Sequence, residues 1–199
     1  MKKKSDEKLK IIPLGGLEQI GMNITAFECQ DSIVLVDCGL AFPEDDMLGV
    51  DLVIPDVTYL LENADKVKGL CITHGHEDHI GAIPYILKQI NMPIYATKLT
   101  NGLIENKLKE HGMLRTVKRK VVKYGQSINL GCFRIEFIKT NHSIQDAAAL
   151  ALFSPAGIVV HTGDFKVDYT PVFGDAIDLQ RFGEIGKKGV LALLCESTN

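Results

Sequence analysis

Short apolar runs separated by turns dominate the first third of the chain. Segments 10–14, 24–29 and 33–37 have the length of strands, and a loop rich in proline and acidic residues follows over 42–56. Apolar runs of this length, bounded by glycine and polar turn residues, predict β-strands. The next apolar run, over 69–73, predicts a buried strand that leads directly into a group of histidines.

Apolar residues recur at helical spacing in two later segments. The first covers 80–90 and ends at Asn91-Met92-Pro93, and the second covers 99–111 and ends at Gly112. Shorter helical segments are predicted over 58–64 and 178–185. The remaining strands are predicted at 94–96, 117–124, 127–130, 133–140, 148–153, 158–162 and 190–194. Strands interleaved with a few helices predict an α/β (α+β) fold in which helices cover sheets.

The composition indicates a globular chain with a substantial core. Of its 199 residues, 46% are hydrophobic and 24% are charged, and the formal net charge is -3. This charge gives no global attraction to nucleic acid, so RNA or DNA binding needs a local patch or a metal. No apolar run reaches the ~18 residues of a membrane span, and the basic start is not followed by a signal-like segment. We therefore expect a cytoplasmic protein without a membrane segment.

The five cysteines are dispersed and form no C-x-x-C pair. They lie mostly in apolar, strand-like stretches, and they are Cys29, Cys38, Cys71, Cys132 and Cys195. An odd number at wide spacing argues against both a disulfide framework and a structural zinc knuckle. We expect buried thiols in a reducing compartment.

Four potential metal ligands lie within six residues, at the end of the predicted strand 69–73. His74 and His76 are two residues apart in an extended segment, so their side chains point the same way and can reach one metal. Asp78 and His79 follow where the chain turns into a helix, and they can reach a second metal beside the first. Imidazoles with a carboxylate suit zinc, and also manganese or iron. A helix-capping loop that carries three of the six histidines by chance is the alternative.

Two further candidate ligands follow strand ends downstream. His142 comes after the strand over 133–140, and Asp164 comes after the strand over 158–162 and a glycine. Strand ends present side chains to a shared cleft, although an ordinary polar residue or a turn aspartate would look the same in isolation. These two residues complete a ligand set that the first cluster begins.

The charges of such a site suit phosphodiester hydrolysis. Two divalent ions carry four positive charges, whereas Asp78, Asp164 and a metal-bridging hydroxide carry three negative ones. About one positive charge then faces an anionic substrate, and zinc lowers the pKa of its bound water to about 7. A two-metal site also stabilises the attacking and leaving oxygens together.

The order His-x-His-x-Asp-His, followed far downstream by a lone His and a lone Asp, resembles the metallo-β-lactamase superfamily. Longer motifs resemble its β-CASP branch and, within it, the ribonuclease J family. They are Leu14-Gly15-Gly16 with Ile20-Gly21 and Asn23, Val36-Asp37-Cys38-Gly39, Phe42-Pro43-Glu44-Asp45, Val53-Ile54-Pro55-Asp56, Ile72 to Gly81, His161 to Lys166, and Glu196-Ser197-Thr198-Asn199.

The resemblance implies a four-layered αβ/βα sandwich and a two-zinc ribonuclease, with Mn²⁺ as an alternative metal. It implies 5′-to-3′ exonuclease and endonuclease activity on RNA that carries a 5′ monophosphate, in mRNA decay and rRNA processing, and a homo-oligomer at full length. By position, one zinc would be held by His74, His76 and His142. The other would be held by Asp78 and His79, and Asp164 would bridge the two.

The resemblance assigns further roles to residues of this chain. His76, Asp78 and Asp164 would form the catalytic core, Asp37 would orient the loop that carries the ligands, and Glu196 would be an acidic residue near the site. The loop at Gly49 and Asp51 resembles a place where some relatives hold Ca²⁺, although an acidic loop is usually only solvated.

One motif departs from the family pattern, and further parts of the family's site have no counterpart. The family's His-Ser-Ile-Pro-Asp-Ser is replaced here by residues 142–147, His-Ser-Ile-Gln-Asp-Ala, which keeps the ligand but loses a proline and a hydroxyl. A later metal-binding histidine and the RNA-clamping β-CASP domain would lie beyond residue 199. We therefore expect a basic tail over 1–8, the first part of a metallo-β-lactamase domain over 9–195, and the start of the β-CASP region over 196–199.

Weaker signals have two interpretations each. Gly15, Gly16 and Gly21 suit a hairpin turn better than a phosphate cradle, because no Gly-Lys-Ser/Thr follows them. One basic cluster could contact the RNA backbone or could be a solvated strand edge. Its residues are Arg115, Lys118, Arg119, Lys120 and Lys123. His111 suits a helix C-terminus, and His161 suits a structural role.

Two alternatives to a ribonuclease remain open from the sequence. The same metal ligands could serve a hydrolase of thioesters or other small molecules. The chain could also be an inactive fragment, and we expect RNA cleavage by these 199 residues alone to be weak or absent.

Overall fold

Two β-sheets and five helices make up residues 7–197, the part of the chain that the computed structural model describes. The first sheet contains, in spatial order, β1 (Leu9–Gly15), β2 (Ile24–Cys29), β3 (Ser32–Val36), β4 (Val67–Cys71), β5 (Ile94–Ala96) and β6 (Arg119–Val121). The second contains, from one edge to the other, β7 (Ser127–Leu130), β8 (Phe133–Lys139), β9 (Ala148–Ser154), β10 (Gly157–His161) and β11 (Ala192–Leu194). The helices are α1 (Thr58–Glu62), α2 (Glu77–Ile80), α3 (Ile83–Gln89), α4 (Lys98–Glu110) and α5 (Leu179–Gly186), and a 3₁₀ turn covers Ala64–Lys66.

Each sheet combines antiparallel and parallel pairs. In the first, β1, β2 and β3 are antiparallel neighbours, and β3, β4, β5 and β6 are parallel. In the second, β7 to β10 are antiparallel and β11 is parallel to β10. The carboxyl ends of the parallel strands β3 and β4 therefore meet at one edge, where the loops that follow them can share a site.

Alternation along the strands separates the chain into four layers. In β3, Ile33 and Leu35 pack toward α1, α3 and α4, whereas Val34 and Val36 pack toward the second sheet. The other face of the second sheet packs on α5 through a smaller cluster centred on Ile185. This order of helices, sheet, sheet and helix is the predicted αβ/βα sandwich, because a strand buried on both faces must be covered on both sides.

The helix predicted over 80–90 is wrong as a single element. It divides into α2 and α3, because Pro84 has no N–H to donate to the carbonyl oxygen of Ile80. The backbone N–H of Ala82, between the two helices, instead donates to the carbonyl oxygen of Cys38 at 3.0 Å. The break joins the helices to the segment that follows β3.

Two other expectations need adjustment. The strand predicted over 117–124 is shortened to β6, since the chain turns at Gly125, whose φ is +74°. The glycines of the first motif do belong to a hairpin, because β1 and β2 pair antiparallel, but the connection spans 16–23 rather than a tight turn. Gly16 and Gly21 have φ of +82° and +89° in this connection.

The cysteines are free among the described residues. Cys29, Cys38 and Cys71 are buried as expected, but Cys195 is exposed, so the expectation of a buried thiol is wrong there. Residues 1–6 and 198–199, which include most of the predicted basic tail, lie outside the described part of the chain. The longest helix of residues 7–197 has 13 residues, and none of their helices is long and apolar enough to cross a bilayer.

A buried carboxylate on β2 predicts a loss of stability in acid. Burial alone would raise the pKa of Glu28, but hydrogen bonds from Tyr59, Lys10 and Lys66 outweigh it and lower that pKa from 4.5 to about 2. The folded-state pKa lies below the unfolded one, so the stabilisation is complete above about pH 5 and is lost as the pH falls toward 2. We expect urea unfolding to show that the wild type loses about 2–3 kcal/mol more than Glu28→Gln across this interval. Glu62→Gln, on the exposed part of α1, should retain the wild-type acid response, and an equal response in Glu28→Gln would contradict the prediction.

Candidate metal centre

The predicted ligands meet where strands from both sheets end. The segment after β4 carries His74 and His76, and α2 carries Asp78 and His79. The second sheet adds His142 after β8 and Asp164 after β10, and a turn at Gly163, with φ of +57°, directs the chain there. The backbone N–H of Gly163 donates to Nδ1 of His161 at 3.1 Å, which agrees with the structural role predicted for His161.

Three histidine rings form the first cluster. Nε2 of His74 and Nε2 of His142 each lie 3.2 Å from Nδ1 of His76. Burial lowers the pKa of His74 to about 3 and also lowers that of His142, so both rings are neutral at neutral pH. Three neutral imidazoles whose nitrogens converge on one point cannot satisfy all of these nitrogens by hydrogen bonds to one another, whereas a single cation can bind all three.

Thr73 determines which nitrogen of His74 faces the cluster. Its hydroxyl donates to Oδ2 of Asp37 at 2.8 Å and lies 3.0 Å from Nδ1 of His74, so it can accept the proton of that nitrogen. Nε2 of His74 then carries no hydrogen and directs a lone pair at the point where the three rings meet. A metal-binding histidine is commonly held through its other nitrogen in this way.

His79, Asp78 and Asp164 form the second cluster. Nε2 of His79 lies 3.4 Å from Oδ2 of Asp78 and 3.5 Å from Oδ1 of Asp164. The other oxygen of Asp164, Oδ2, lies 3.8 Å from Nε2 of His142 in the first cluster. One carboxylate therefore lies between the clusters, and a role for Asp164 as a bridge between two metals stays a prediction.

The charges of the second cluster also suit a cation. Burial disfavours a charged imidazole, but Asp37, Asp164 and Asp78 surround His79 and hold its pKa well above the usual value. Burial likewise disfavours a charged Asp164, but the contact with His79 lowers the pKa of that carboxyl to about 2. A positive charge on His79 thus offsets the carboxylates, and a bound cation would supply that charge when it displaces the proton on Nε2.

Asp37 contacts both of the segments that carry the candidate ligands, the one after β4 and helix α2. It follows β3 with a left-handed φ of +61°, and its side chain is 1% exposed. Oδ1 accepts the backbone N–H of Thr73 at 2.7 Å, and Oδ2 lies 2.8 Å from Nδ1 of His79. Burial opposes the ionisation of Asp37, but His79 outweighs it and the pKa of the carboxyl is lowered. The orienting role of Asp37 stays a prediction, and these are the contacts through which it would act.

Asn23 is a contact of the site that sequence reasoning did not assign. Its Nδ2 donates to Oδ2 of Asp78 at 3.2 Å and lies 3.1 Å from Nε2 of His79, and its backbone N–H donates to the Asp78 carbonyl at 3.0 Å. In the sequence, Asn23 is recognisable only as a polar residue at the end of a glycine motif, and its proximity to α2 results from the fold. Asn23 joins the loop 16–23 to the second cluster.

Asp146 was also missed, and it anchors the loop that carries His142. Its carboxylate accepts the backbone N–H of Leu99 at the start of α4, with a distance of 2.9 Å. Its carbonyl accepts the Thr97 hydroxyl at 2.7 Å, and its φ is +62°. The position of His142 therefore depends on α4, although the proline of the family motif is absent.

Glu196 lies beside the second cluster. Its Oε1 accepts the backbone N–H of Phe165 at 3.0 Å, and its own backbone N–H donates to the Thr162 hydroxyl at 3.3 Å. These contacts restrain the backbone on both sides of Asp164. Glu196 therefore lies near the site, where the resemblance placed an acidic residue.

The structure does not bring the other candidate residues to this centre. Two groups of ligand atoms within residues 7–197 are close enough to hold a metal, His74 with His76 and His142, and His74 with His79 and Asp164. Asp78 borders the second group through His79, and Gly49 and Asp51 lie in an exposed loop outside both. Arg119, on the outer strand β6, pairs with Glu105 at 2.8 Å, and Lys120 lies over the ring of Tyr95. The other basic candidates, Arg115 and Lys118, precede β6. Calcium binding and RNA contact by these residues stay predictions.

Two cavities flank the centre. The larger, of about 650 Å³, is lined by Asp37, Asp78, His79, Asp164, Glu196 and the loop after β1, and we call it the Asp78 cavity. The smaller, of about 440 Å³, is lined by His142, by the neighbouring residues 139–146 and by the segment 166–174. We call it the His142 pocket. The second cluster thus opens onto the Asp78 cavity, whereas the first cluster contributes His142 to the wall of the other.

Two facing sheets with a histidine–aspartate cluster at the ends of their strands are the architecture of the metallo-β-lactamase fold. The chain belongs to the metallo-β-lactamase superfamily, whose sequence description matches residues 23–182. A solved structure of the metallo-β-lactamase fold protein YhfI from Bacillus subtilis has the same fold, with a TM-score of 0.51, 20% identity, and coverage of 78% of this chain and 62% of that one.

Sequence similarity to ribonuclease J extends over nearly the whole chain. Ribonuclease J of Synechocystis sp. is 52% identical over 195 residues, which are 97% of this chain and 30% of that protein. Ribonuclease J 1 of Streptococcus pyogenes is 49% identical over 189 residues, which are 95% of this chain and 34% of that protein. The resemblance of the motifs to ribonuclease J and to the metallo-β-lactamase superfamily is confirmed, and the chain spans about a third of the length of these curated relatives.

Proposed function

We propose that this chain carries the metal-binding part of a ribonuclease of the ribonuclease J type. The observation that carries the proposal is the position of Asp164, whose two oxygens face His79 of one cluster and His142 of the other. The similarity to ribonuclease J proteins supports RNA as the substrate class. We further propose a cytoplasmic enzyme that acts on RNA with a 5′ monophosphate, by exonuclease and endonuclease cleavage, and that forms homo-oligomers at full length.

The residues fit two divalent cations, and we propose Zn²⁺ as the native metal. His74, His76 and His142 would hold one cation, Asp78 and His79 would hold the other, and Asp164 would contact both. Divalent cations bound there supply Lewis acidity toward a phosphodiester and activate water near neutral pH.

The chain's own residues supply orientation and electrostatic balance. Thr73 keeps the lone pair of His74 directed into the first cluster, and Asp37 does the same for His79 in the second. Asn23 restrains the carboxylate of Asp78 through its amide. Since these partners are buried or half-buried, the ligands need little reorganisation when a phosphodiester binds.

Metal analysis of purified variants tests the proposal. We expect the wild-type chain to retain about two equivalents of Zn²⁺ after dialysis, because both clusters have convergent ligands. His76→Ala removes the nitrogen at the centre of the first cluster and should lose at least one equivalent. His111→Ala is the matched control, since this histidine caps α4 and packs on Tyr85.

An activity comparison tests the substrate class. Weak cleavage of 5′-monophosphorylated RNA that disappears in His76→Ala, without hydrolysis of S-lactoylglutathione, would support a ribonuclease. Absence of bound metal in the wild type, or equal metal content in His76→Ala, would contradict the metal centre. Thioester hydrolysis in preference to RNA cleavage would instead favour a small-molecule hydrolase.

A further inference from the structure

The His142 pocket has no role in the metal chemistry, yet it shares a wall with the first cluster. His142 separates it from the centre, and the Asp78 cavity opens on the side of Asp78, His79 and Asp164. A phosphodiester within a nucleic acid strand has a nucleoside on each side. A centre that cleaves such a bond therefore needs space in two directions, and the two cavities provide it.

The pocket offers two ammonium groups to a phosphate. Nζ of Lys139 lies 3.2 Å from Oδ2 of Asp175, and Nζ of Lys166 lies 3.1 Å from Oδ2 of Asp168. Each pair has one exposed side chain, Asp175 at 98% and Lys166 at 57%, and one partly buried side chain, Lys139 at 19% and Asp168 at 23%. Solvent reaches both pairs through the exposed member and weakens them, so a phosphate can compete with the carboxylates.

The other acidic residue of the pocket is already engaged. The carboxylate of Asp146 accepts the backbone N–H of Leu99 at the start of α4, where the helix dipole favours a negative charge. Asp146 therefore repels an incoming phosphate less than a free carboxylate would.

An aromatic ring lies on the rim of the same pocket. Phe173 lines it and is 71% exposed, next to Val172, which is 91% exposed. The half-buried ring of Tyr124 forms part of the wall, and its hydroxyl donates to the carbonyl of Ala147 at 3.2 Å. An exposed aromatic face beside cationic groups is the arrangement that binds single-stranded nucleic acid, because every base has a face that can stack.

We propose that the His142 pocket binds a nucleotide of single-stranded RNA adjacent to the scissile phosphodiester, with its base on Phe173 and its phosphate near Lys166 and Lys139. This inference rests on the proposed function, since it requires a nucleic acid strand at the metal centre. It predicts a preference for single strands and little preference among bases, because stacking does not read hydrogen-bonding edges.

Oligonucleotide binding by the Zn²⁺-loaded chain tests the pocket. The probe is a fluorescein-labelled phosphorothioate octauridylate, and the measurement is fluorescence anisotropy over a series of salt concentrations. We expect Phe173→Ala to weaken binding about tenfold, since one stacked base is lost. Phe42→Ala is the matched control, because Phe42 is 73% exposed and lines neither cavity.

Salt dependence tests the phosphate contact separately. Lys166→Gln should reduce the slope of log K against log salt by about 0.7, because one single-strand phosphate contact is lost. Lys10→Gln serves as its control, since Lys10 is similarly exposed and paired but lies on β1. Metal content should stay unchanged in all four variants.

The outcomes separate this inference from the proposed function. If the wild type binds the oligonucleotide and both Phe173→Ala and Lys166→Gln bind it equally well, the pocket assignment is overturned while the ribonuclease proposal stands. If the wild type does not bind the oligonucleotide, the pocket assignment is overturned, whereas RNA as the substrate class is decided by the cleavage comparison under Proposed function. If Phe173→Ala alters only self-association in sedimentation, the rim is a protein contact and the inference is wrong.

Discussion

Replacement of Gly39 by alanine is expected to destabilise the chain by about 4 kcal/mol or more and to abolish metal binding. A Cβ at this position would lie 1.5 Å from the carbonyl oxygen of Asp78 and 2.9 Å from the backbone nitrogen of Asn23. Both contacts are with backbone, so no side-chain rotation can relieve them. The segment after β3 and the start of α2 would have to separate.

The expected loss extends to the metal centre because these backbones are hydrogen-bonded at several points. The N–H of Gly39 donates to Asn23 at 2.9 Å, and the N–H of Cys38 donates to His79 at 2.8 Å. Movement of either segment displaces Asp78 and His79 relative to Asp37. The second cluster cannot keep its geometry once the backbone contact is broken.

Urea unfolding and metal analysis of Gly39→Ala check this expectation. Gly102→Ala is the matched control, because Gly102 lies within α4 with no atom within 4 Å of an added Cβ. Alanine has the higher helix propensity, so this control should be neutral or stabilising by up to about 1 kcal/mol. A Gly39→Ala chain that unfolds within about 1 kcal/mol of the wild type and keeps its Zn²⁺ would refute the steric argument.

Much of the fold follows from local patterns in the sequence. The continuous apolar runs of β3 and β4 predict strands because burial on two faces requires apolar residues on both. The single helix expected over 80–90 failed because apolar spacing does not report the missing N–H of Pro84, whose effect depends on where the helix begins. Periodicity therefore predicted the existence of elements better than their continuity.

The convergence of the candidate metal ligands could be predicted because four of them are close in sequence and the other two follow strand ends. The residues that hold them could not, since their contacts join distant segments. Asn23 and Asp78 are 55 positions apart, and Thr97 and Asp146 are 49 apart. The need for glycine at position 39 likewise arises from the backbone of α2, which no local pattern indicates.

Asp37→Ala is expected to destabilise the fold by about 3–5 kcal/mol and to reduce metal affinity at the second cluster at least tenfold. The substitution leaves the N–H of Thr73 without its acceptor and leaves Nδ1 of His79 buried without a carboxylate. It also places alanine at a φ of +61°, which aspartate tolerates better than alanine does. Two losses therefore contribute, one in polar contacts and one in backbone strain.

Asp37→Asn separates the charge from the shape and the backbone conformation. The amide oxygen can still accept from Thr73, and asparagine tolerates a positive φ, so this variant should fold with a smaller loss of stability. The –NH₂ group takes the place of Oδ2 and can accept a hydrogen bond neither from Nδ1 of His79 nor from the Thr73 hydroxyl, so the orientation of His79 should still be impaired. We expect competition titrations with a Zn²⁺ chelator to show weakened binding in Asp37→Asn with one equivalent held as tightly as in the wild type. Wild-type affinity for both equivalents in Asp37→Asn would show that the charge of Asp37 does not orient the second cluster.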